Sequence, residues 1–142
     1  MASTTVLSNP VVSIGTTTPG TLITDQVVSA VVTTTQDALE STAFGQTNRT
    51  YVGGLTNCTV TLTMLMSYAA SETYALLNSL VGAAATYVSV KAVDTAISAT
   101  NPEFQLTNGY VESFDVVNAA LGELQQVEVT FTGGTLVKDV TP

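Results

Sequence analysis

Carboxylates are the side chains in this sequence most able to perform acid–base chemistry, and their spacing is unsuited to it. Glu112 and Asp115 lie three positions apart, as do Asp37 and Glu40. On an extended strand, residues at odd spacing point to opposite faces, so neither pair converges. Neither pair has the arrangement of two carboxylates flanking a glycosidic bond. We therefore predict that the protein is not an enzyme.

Histidine is absent and Cys58 is the single cysteine. Nucleophilic triads need an imidazole, and zinc sites need clustered Cys and His. Cys58 lies in an alternating apolar run without a basic neighbour, so we predict a small buried hydrophobe and not a reactive thiol. Gly53-Gly54 lacks the lysine of a phosphate loop and indicates a turn. We expect no catalytic residues, no cofactor and no metal.

The charge balance excludes several classes of partner. The 142 residues carry three basic and eleven acidic side chains, for a net charge of −8. A duplex-binding protein needs Lys and Arg to neutralise phosphates, and an anionic membrane attracts basic segments. We therefore expect neither DNA binding nor membrane docking. A hydrophobic fraction of 45% with only 10% charged residues argues against disorder and favours one domain with a real core.

The amino-terminal residues do not follow the pattern of a secretory signal, and no apolar run reaches the length of a membrane-spanning helix. The expectation is a protein made in a cytoplasm that stays soluble until it meets a partner.

β-Branched residues and alternating patterns predict a mainly β protein, an antiparallel β-sandwich or open barrel with one short α-helix. The helix is expected between a Ser71 cap and a Gly82 stop. The predicted order begins with one strand or a strand pair over 22–35, an extended segment over 37–44 and a polar loop over 45–57. A strand over 58–66, the helix over 71–81 and a strand over 84–92 follow. The chain then forms a strand over 103–117 with an Asn108-Gly109 turn or bulge, a last strand between Gly122 and Gly133-Gly134, and a tail over 135–142.

Residues 1–20 are rich in Thr, Ser, Gly and Pro and show no sustained period. We predict an extended amino-terminal arm there, followed by a single β domain over 21–142. Two interpretations stay open: a loose terminal arm, or an arm that lies on a neighbouring subunit and covers its own Val and Ile side chains.

Three segments, in this order along the chain, carry a resemblance to a known protein family. DALESTAFGQTNRTYVGGL is an extended stretch followed by a loop with one basic residue. NCTVTLTMLMSYAASETYALLNSLVGAAATYVSVKA reads as strand, helix and strand, and FQLTNGYVESFDVVNAALGELQQVEVTFTGG as a hairpin and a closing strand. Over about Leu22 to Gly134, this order resembles the tail tube proteins of long-tailed bacteriophages.

The resemblance implies a structural virion protein that assembles with itself into stacked hexameric rings, in contact with other phage tail or head proteins. DNA would pass through the bore without specific binding, and the protein would reside in the phage tail. Family contacts come from the arm and the long loop, so the candidate assembly residues are Val11, Val12, Ile14, Arg49, Tyr51, Val52 and Leu55. A bore that DNA crosses should repel phosphate, and the candidate lumen-facing acidic residues are Asp37, Glu40, Glu112 and Glu128.

Two alternatives use the same fold. Capsid-decorating proteins and head–tail joining proteins would also be acidic and rich in strands, and the sequence leaves them open. A secreted adhesin domain would share the Thr and Val bias, but it should carry a signal peptide.

Overall fold

The computed structural model describes residues 10–16, 20–83 and 85–142. Within these ranges the chain forms two antiparallel β-sheets and one short α-helix, which confirms the predicted fold class. The elements are β1 (Val11–Gly15), β2 (Thr21–Leu22), β3 (Val27–Glu40), β4 (Tyr51–Leu65), α1 (Thr73–Leu80), β5 (Thr86–Lys91), β6 (Glu103–Gly109), β7 (Gln126–Thr132) and β8 (Thr135–Asp139).

The two sheets differ in size and pack face to face. A five-stranded sheet has the order β2-β1-β5-β6-β8, and a three-stranded sheet has the order β3-β4-β7. Alternate side chains of each strand point into the space between the sheets. The buried core consists chiefly of Val12, Ile14, Val88 and Leu106 from the larger sheet and Val60, Leu62, Met64, Val127, Val129 and Phe131 from the smaller one. Cys58 is buried among them, as predicted.

Helix α1 closes one side of this core. Leu77 and Leu80 are buried, as their helical spacing predicts. The Thr73 hydroxyl is also buried and donates to the Leu65 carbonyl at 2.8 Å, which fixes the first turn to the end of β4. Gly82 follows the helix at φ 73°, the predicted left-handed stop. The predicted Ser71 cap is wrong: Glu72 holds the cap position without a side-chain hydrogen bond, while Ser71 adopts φ 62° before it.

The long hairpin corrects three predicted boundaries. The segments 22–35 and 37–44 are not separate strands, because β3 runs without a break from Val27 to Glu40. The predicted loop 45–57 is half strand, because β4 begins at Tyr51. A β-bulge causes this discrepancy: Gly54 and Leu55 both lie opposite Asp37, so the sequence loses its alternation there while the pairing continues.

The predicted arm is wrong for residues 11–15. These residues form β1, which pairs with β5 inside the five-stranded sheet. Val12 and Ile14 are completely buried in the chain's own core, so they cannot serve as contacts with a neighbour. Val11 is half-buried at the start of β1. The rest of the predicted arm, residues 1–9 and 17–19, lies outside the described residues.

Two further boundaries change near the carboxyl end. The predicted strand 103–117 ends at Gly109, and a 14-residue irregular segment from Glu112 to Gln125 follows the short bridges of Tyr110 and Val111. The predicted tail contains β8, which pairs with β6. The sequence Gly133-Gly134 is therefore a corner at which the chain leaves the smaller sheet and enters the larger one.

The corner needs glycine for two reasons. Gly133 and Gly134 adopt φ 78° and 74°, in the left-handed region. A Cβ atom on Gly134 would lie 2.1 Å from the Thr107 carbonyl oxygen, whereas one on Gly133 would meet nothing within 4 Å.

We therefore expect Gly134→Ala to destabilise the fold much more than Gly133→Ala. Both substitutions incur the backbone cost of about 1–3 kcal/mol for a non-glycine residue at positive φ. Gly134→Ala adds overlap with backbone that cannot move aside, which we expect to raise the cost by about 2 kcal/mol more. Urea unfolding followed by circular dichroism measures both variants. Equal destabilisation of the two would contradict the corner geometry.

Candidate assembly surface

The three-stranded sheet, here called the open sheet, has two unpaired edges. Within the described residues, β3 pairs only with β4, and β7 pairs with β4 and otherwise only through a single bridge from Tyr110 to Thr132. Strand β3 is 14 residues long and contains no proline and no lysine. Soluble proteins usually blunt such an edge with one of these residues, because unpaired N–H and C=O groups attract another strand.

The face of the open sheet that points away from the core, here called the outer face, is dominated by hydroxyl groups. Register places Thr33 beside Thr59 and Thr61 beside Thr130, with the last two hydroxyl oxygens 3.4 Å apart. The outer face contains Ser29, Val31, Thr33, Thr35, Asp37 and Leu39 of β3, Val52, Asn57, Thr59, Thr61 and Thr63 of β4, and Glu128, Thr130 and Thr132 of β7. No basic residue is among them.

A groove of about 450 Å³ runs along the unpaired edge of β7. Its walls are the outer-face side chains of β7 on one side and the chain just after β6 on the other. The lining residues are Tyr110, Glu112, Ser113, Glu128, Thr130 and Thr132. The groove is open and is lined by polar side chains beside the edge of β7.

The far half of the β3–β4 hairpin projects beyond the core. On β3 every side chain from Thr33 to Glu40 is exposed, and on β4 burial begins only at Cys58. Gln36 crosses the hairpin, donating to the Gly54 carbonyl at 3.4 Å, in space that a side chain on Gly53 would fill. Gly53 and Gly54 both lie within β4, so the turn predicted there is wrong.

The end of the hairpin, residues 41–50, is here called the tip loop. Its backbone is fixed by hydrogen bonds of its own: the Ser41 amide donates to the Thr50 carbonyl at 2.8 Å, and the Thr50 amide to the Thr42 hydroxyl at 3.0 Å. Phe44 is fully exposed at its turn. The tip loop is therefore an ordered projection that presents an aromatic side chain to solvent.

Four of the predicted assembly residues lie on this projection, but not all on one face: Val52 is on the outer face, whereas Tyr51 lies opposite Glu40 on the other face. Tyr51, Val52 and Leu55 are exposed side chains of β4, and the Arg49 guanidinium lies 4.0 Å from the Glu40 carboxylate at the hairpin end. Phe44 and Leu39 are further exposed apolar side chains of this projection, and the sequence reasoning did not select them. An aromatic residue beside a glycine in a polar loop was the available signal for Phe44.

The four predicted lumen residues do not form one cluster. Asp37 and Glu128 share the outer face, and Glu112 lies across the β7 groove from Glu128. Glu40 pairs with Tyr51 on the opposite face of the hairpin and contacts Arg49. Of the four, only Asp37 and Glu128 therefore share one face of the open sheet.

A second exposed apolar region lies at the other end of the open sheet. The irregular segment 112–125, here called the root loop, leads into β7, where Gln126 pairs with Leu65 at the last residue of β4. Val117, Leu121 and Leu124 are exposed on it. Sequence reasoning missed this region because alternation through residues 110–117 indicated a strand with one protected face.

In residues 10–16, 20–83 and 85–142, no three His, Cys, Asp or Glu side chains approach closely enough to hold a metal ion. Among these same residues, no helix has the length and apolar character needed to cross a membrane. Burial raises the pKa of Tyr87, which lies in the five-stranded sheet and not at the open sheet.

Comparison with solved structures identifies the fold. The sheath/tube terminator of a PVC extracellular contractile injection system is 13% identical, with a TM-score of 0.73 over 99% of each chain. The SPP1 tail tube is 7% identical, with a TM-score of 0.71 over 93% of this chain and 77% of that one. The tail of an empty GTA particle is 13% identical, with a TM-score of 0.69 over 93% and 96%.

No family model matches the sequence, and no curated protein matches it. The matches among solved structures show that the chain has the fold of phage tail tube proteins and of related injection-system tube components, as the sequence resemblance predicted.

The Arg49–Glu40 pair should contribute little to the stability of a single copy, because 76% and 50% of the two side chains are exposed. We expect Arg49→Ala and Glu40→Gln each to change the free energy of unfolding by no more than about 1 kcal/mol. Urea unfolding at low protein concentration provides the measurement. A much larger loss would mean that the pair supports the hairpin itself.

Proposed function

We propose that the protein is a structural subunit of a phage-like tail tube, in which copies complete one another's open sheets to form rings that stack. The observation that carries this proposal is the open sheet itself, with a long unprotected β3 edge on one side and a groove beside the β7 edge on the other. Assembly with copies of itself and with other tail components, not catalysis, is the proposed activity.

The strand directions support one way in which neighbouring copies would pair. Within one copy β3 and β7 both run antiparallel to β4, so they are parallel to each other. In a closed ring every copy has the same orientation. The β3 strand of one copy would therefore lie parallel to the β7 strand of the next, and closing the ring would leave the open sheet without a free edge.

Half-buried side chains of β3 support this pairing. Ala30 and Val32 point toward the core but stay partly exposed at the sheet edge, and Val31 is exposed on the outer face. A neighbouring strand would cover all three. The polar groove beside β7 gives that strand a place to lie.

The outer face suits the wall of a DNA passage. It carries hydroxyl groups, Asp37 and Glu128, and no basic residue. Such a wall would not retain a phosphate backbone, because binding of that polymer depends on Lys and Arg. DNA would then move past without specific contacts, in a particle tail where this face lines the bore.

A second candidate function is that of a tube terminator. The PVC sheath/tube terminator matches 99% of both chains, so no element of this chain is surplus to that architecture. A terminator would form a ring but would not add further rings on both sides. The role in capsid decoration or head–tail joining stays a prediction.

Cross-linking between copies tests the proposed ring contact. Thr33→Cys lies on β3 and Thr130→Cys on β7, and the two variants would be mixed with tags of different length and treated with a bismaleimide. We expect a mixed dimer to dominate over both homodimers, because β3 pairs with β7 and not with another β3. Wild-type protein is the blank, since Cys58 is buried.

A matched control uses Val137→Cys on β8, an exposed position of the other sheet, in place of Thr130→Cys. This mixture should yield little cross-link. Equal yields from the two mixtures, or homodimers alone, would refute the lateral pairing of the open sheets.

A further inference from the structure

The first residues of β3 and β7 lie at the same level of the open sheet. Val27 at the start of β3 and Val127 near the start of β7 both pair with Met64 of β4. Because β3 and β7 are parallel and all copies in a ring share one orientation, ring closure would bring the start of β7 beside the start of the neighbour's β3. The root loop leads directly into β7 at Gln126, so it would lie next to that end of β3.

Val28 is an exposed apolar side chain at this end of β3. A β-bulge between Val27 and Ser29 leaves Val28 without a partner on β4. Bulges at the edge of a sheet commonly redirect a side chain. Residues 22–40 contain no basic side chain, and the root loop is acidic, so attraction between charges cannot hold the two together. A contact between them would have to be apolar.

The root loop offers apolar side chains for such a contact. Val117, Leu121 and Leu124 are exposed on it. A depression of about 500 Å³ is lined by root-loop residues that include Ala120 and Leu124, and by Gln126, the first residue of β7. The depression therefore extends from the root loop to the start of β7.

Strand pairing alone would leave the register of β3 against β7 undecided. A slip of one residue would turn the core-facing side chains outward, whereas a slip of two residues would keep every side chain on its face. Such a slip would again place hydroxyl groups beside hydroxyl groups. The residues that make the two edges repetitive are Ser29, Thr33 and Thr35 on β3 and Thr130 and Thr132 on β7.

We propose that the root loop of one copy packs on Val28 of its lateral neighbour and thereby selects one register for the β3–β7 pair. This inference rests on the proposed ring contact and adds the surface that gives the contact a defined register. Because the bulge occurs once at this end of β3, only one register brings Val28 to Leu121 and Leu124. Burial of these apolar side chains would stabilise that register over the slipped ones.

The root loop is ordered before a neighbour arrives. The Tyr68 hydroxyl donates to the Val116 carbonyl at 2.7 Å and so fixes the first half of the loop. The Glu123 amide donates to the Ala120 carbonyl at 3.1 Å, and this turn presents Leu121 to solvent. An ordered surface loses little conformational entropy on binding.

Cross-linking tests which surface covers the root loop. Ala120→Cys marks the root loop and Ser29→Cys the start of β3, on chains with tags of different length that are mixed and treated with a bismaleimide. We expect the mixed dimer to exceed both homodimers. In a second mixture, Thr47→Cys on the tip loop replaces Ser29→Cys. A higher yield from the second mixture would mean that a copy stacked above or below covers the root loop, and would overturn the proposal.

Disulfide formation between the edges measures the register. Thr130→Cys on β7 would be mixed in turn with Val31→Cys, Thr33→Cys and Thr35→Cys, which share the outer face of β3. A disulfide needs Cα atoms within about 7 Å of each other, so we expect one of the three mixtures to give most of the product. Equal yields from all three would refute the selection of one register.

Removal of the root-loop leucines tests the cause. Adding Leu121→Ser and Leu124→Ser to the β7 chain should lower the excess of the favoured disulfide about fivefold or more, because the apolar cover over Val28 is lost. Val137→Ser is the matched control, since it removes an exposed apolar side chain of β8, and it should leave the distribution unchanged. An unchanged distribution in the leucine variant, or an equal change with Val137→Ser, would overturn the proposal.

The outcome is separable from that of the proposed ring. Disulfides spread evenly over the three β3 positions would leave the ring contact in place and refute the role of the root loop. The absence of any β3–β7 product would refute the ring contact and this inference with it.

Discussion

The proposed assembly depends on the free edges that the described residues leave on the open sheet. The open sheet buries its inner face against the five-stranded sheet, so its core is complete. Within the described residues its edges are not, because β3 pairs only with β4 and contains no proline or lysine along its 14 residues to discourage a further strand. Backbone hydrogen-bonding groups without a protein partner favour strand addition, and in the proposed ring the β7 edge of an identical copy would supply that strand.

The far half of the long β3–β4 hairpin is likewise left uncovered by its own copy. A two-stranded hairpin is only marginally stable in water. This one continues well beyond the point where β7 and the core support it, with Gln36 across one face and a bulge at Gly54. Its exposed Leu39, Val52 and Leu55 contribute nothing to the core of their own copy. In the proposed assembly, these side chains would contact a neighbouring copy.

Sequence reasoning predicted the architecture well wherever burial is one-sided. Residues 58–65 alternate strictly because one face meets the core, and Leu77 and Leu80 repeat at helical spacing for the same reason. Prediction failed where both faces are exposed, as at residues 51–57, since nothing then enforces alternation. It also failed at β1, where a short buried strand among Thr, Gly and Pro looks like a loose arm; only the pairing with β5 reveals it. Of the predicted site, Arg49, Tyr51, Val52 and Leu55 lie on one hairpin because they are close in sequence, whereas the root loop could be recognised only from the fold.

Amide hydrogen exchange along β3 tests whether assembled copies complete one another's open sheets. At low concentration the edge amides from Val28 to Thr33 that point away from β4 should exchange quickly, since the described residues give them no partner. At high concentration, under assembling conditions, we predict strong protection of these amides together with those on the edge of β7. The interior amides of β5 should be protected equally in both samples. Unchanged exchange along β3 in a sample that has assembled would contradict the proposed pairing of open sheets. It would mean that copies associate without completing one another's sheets.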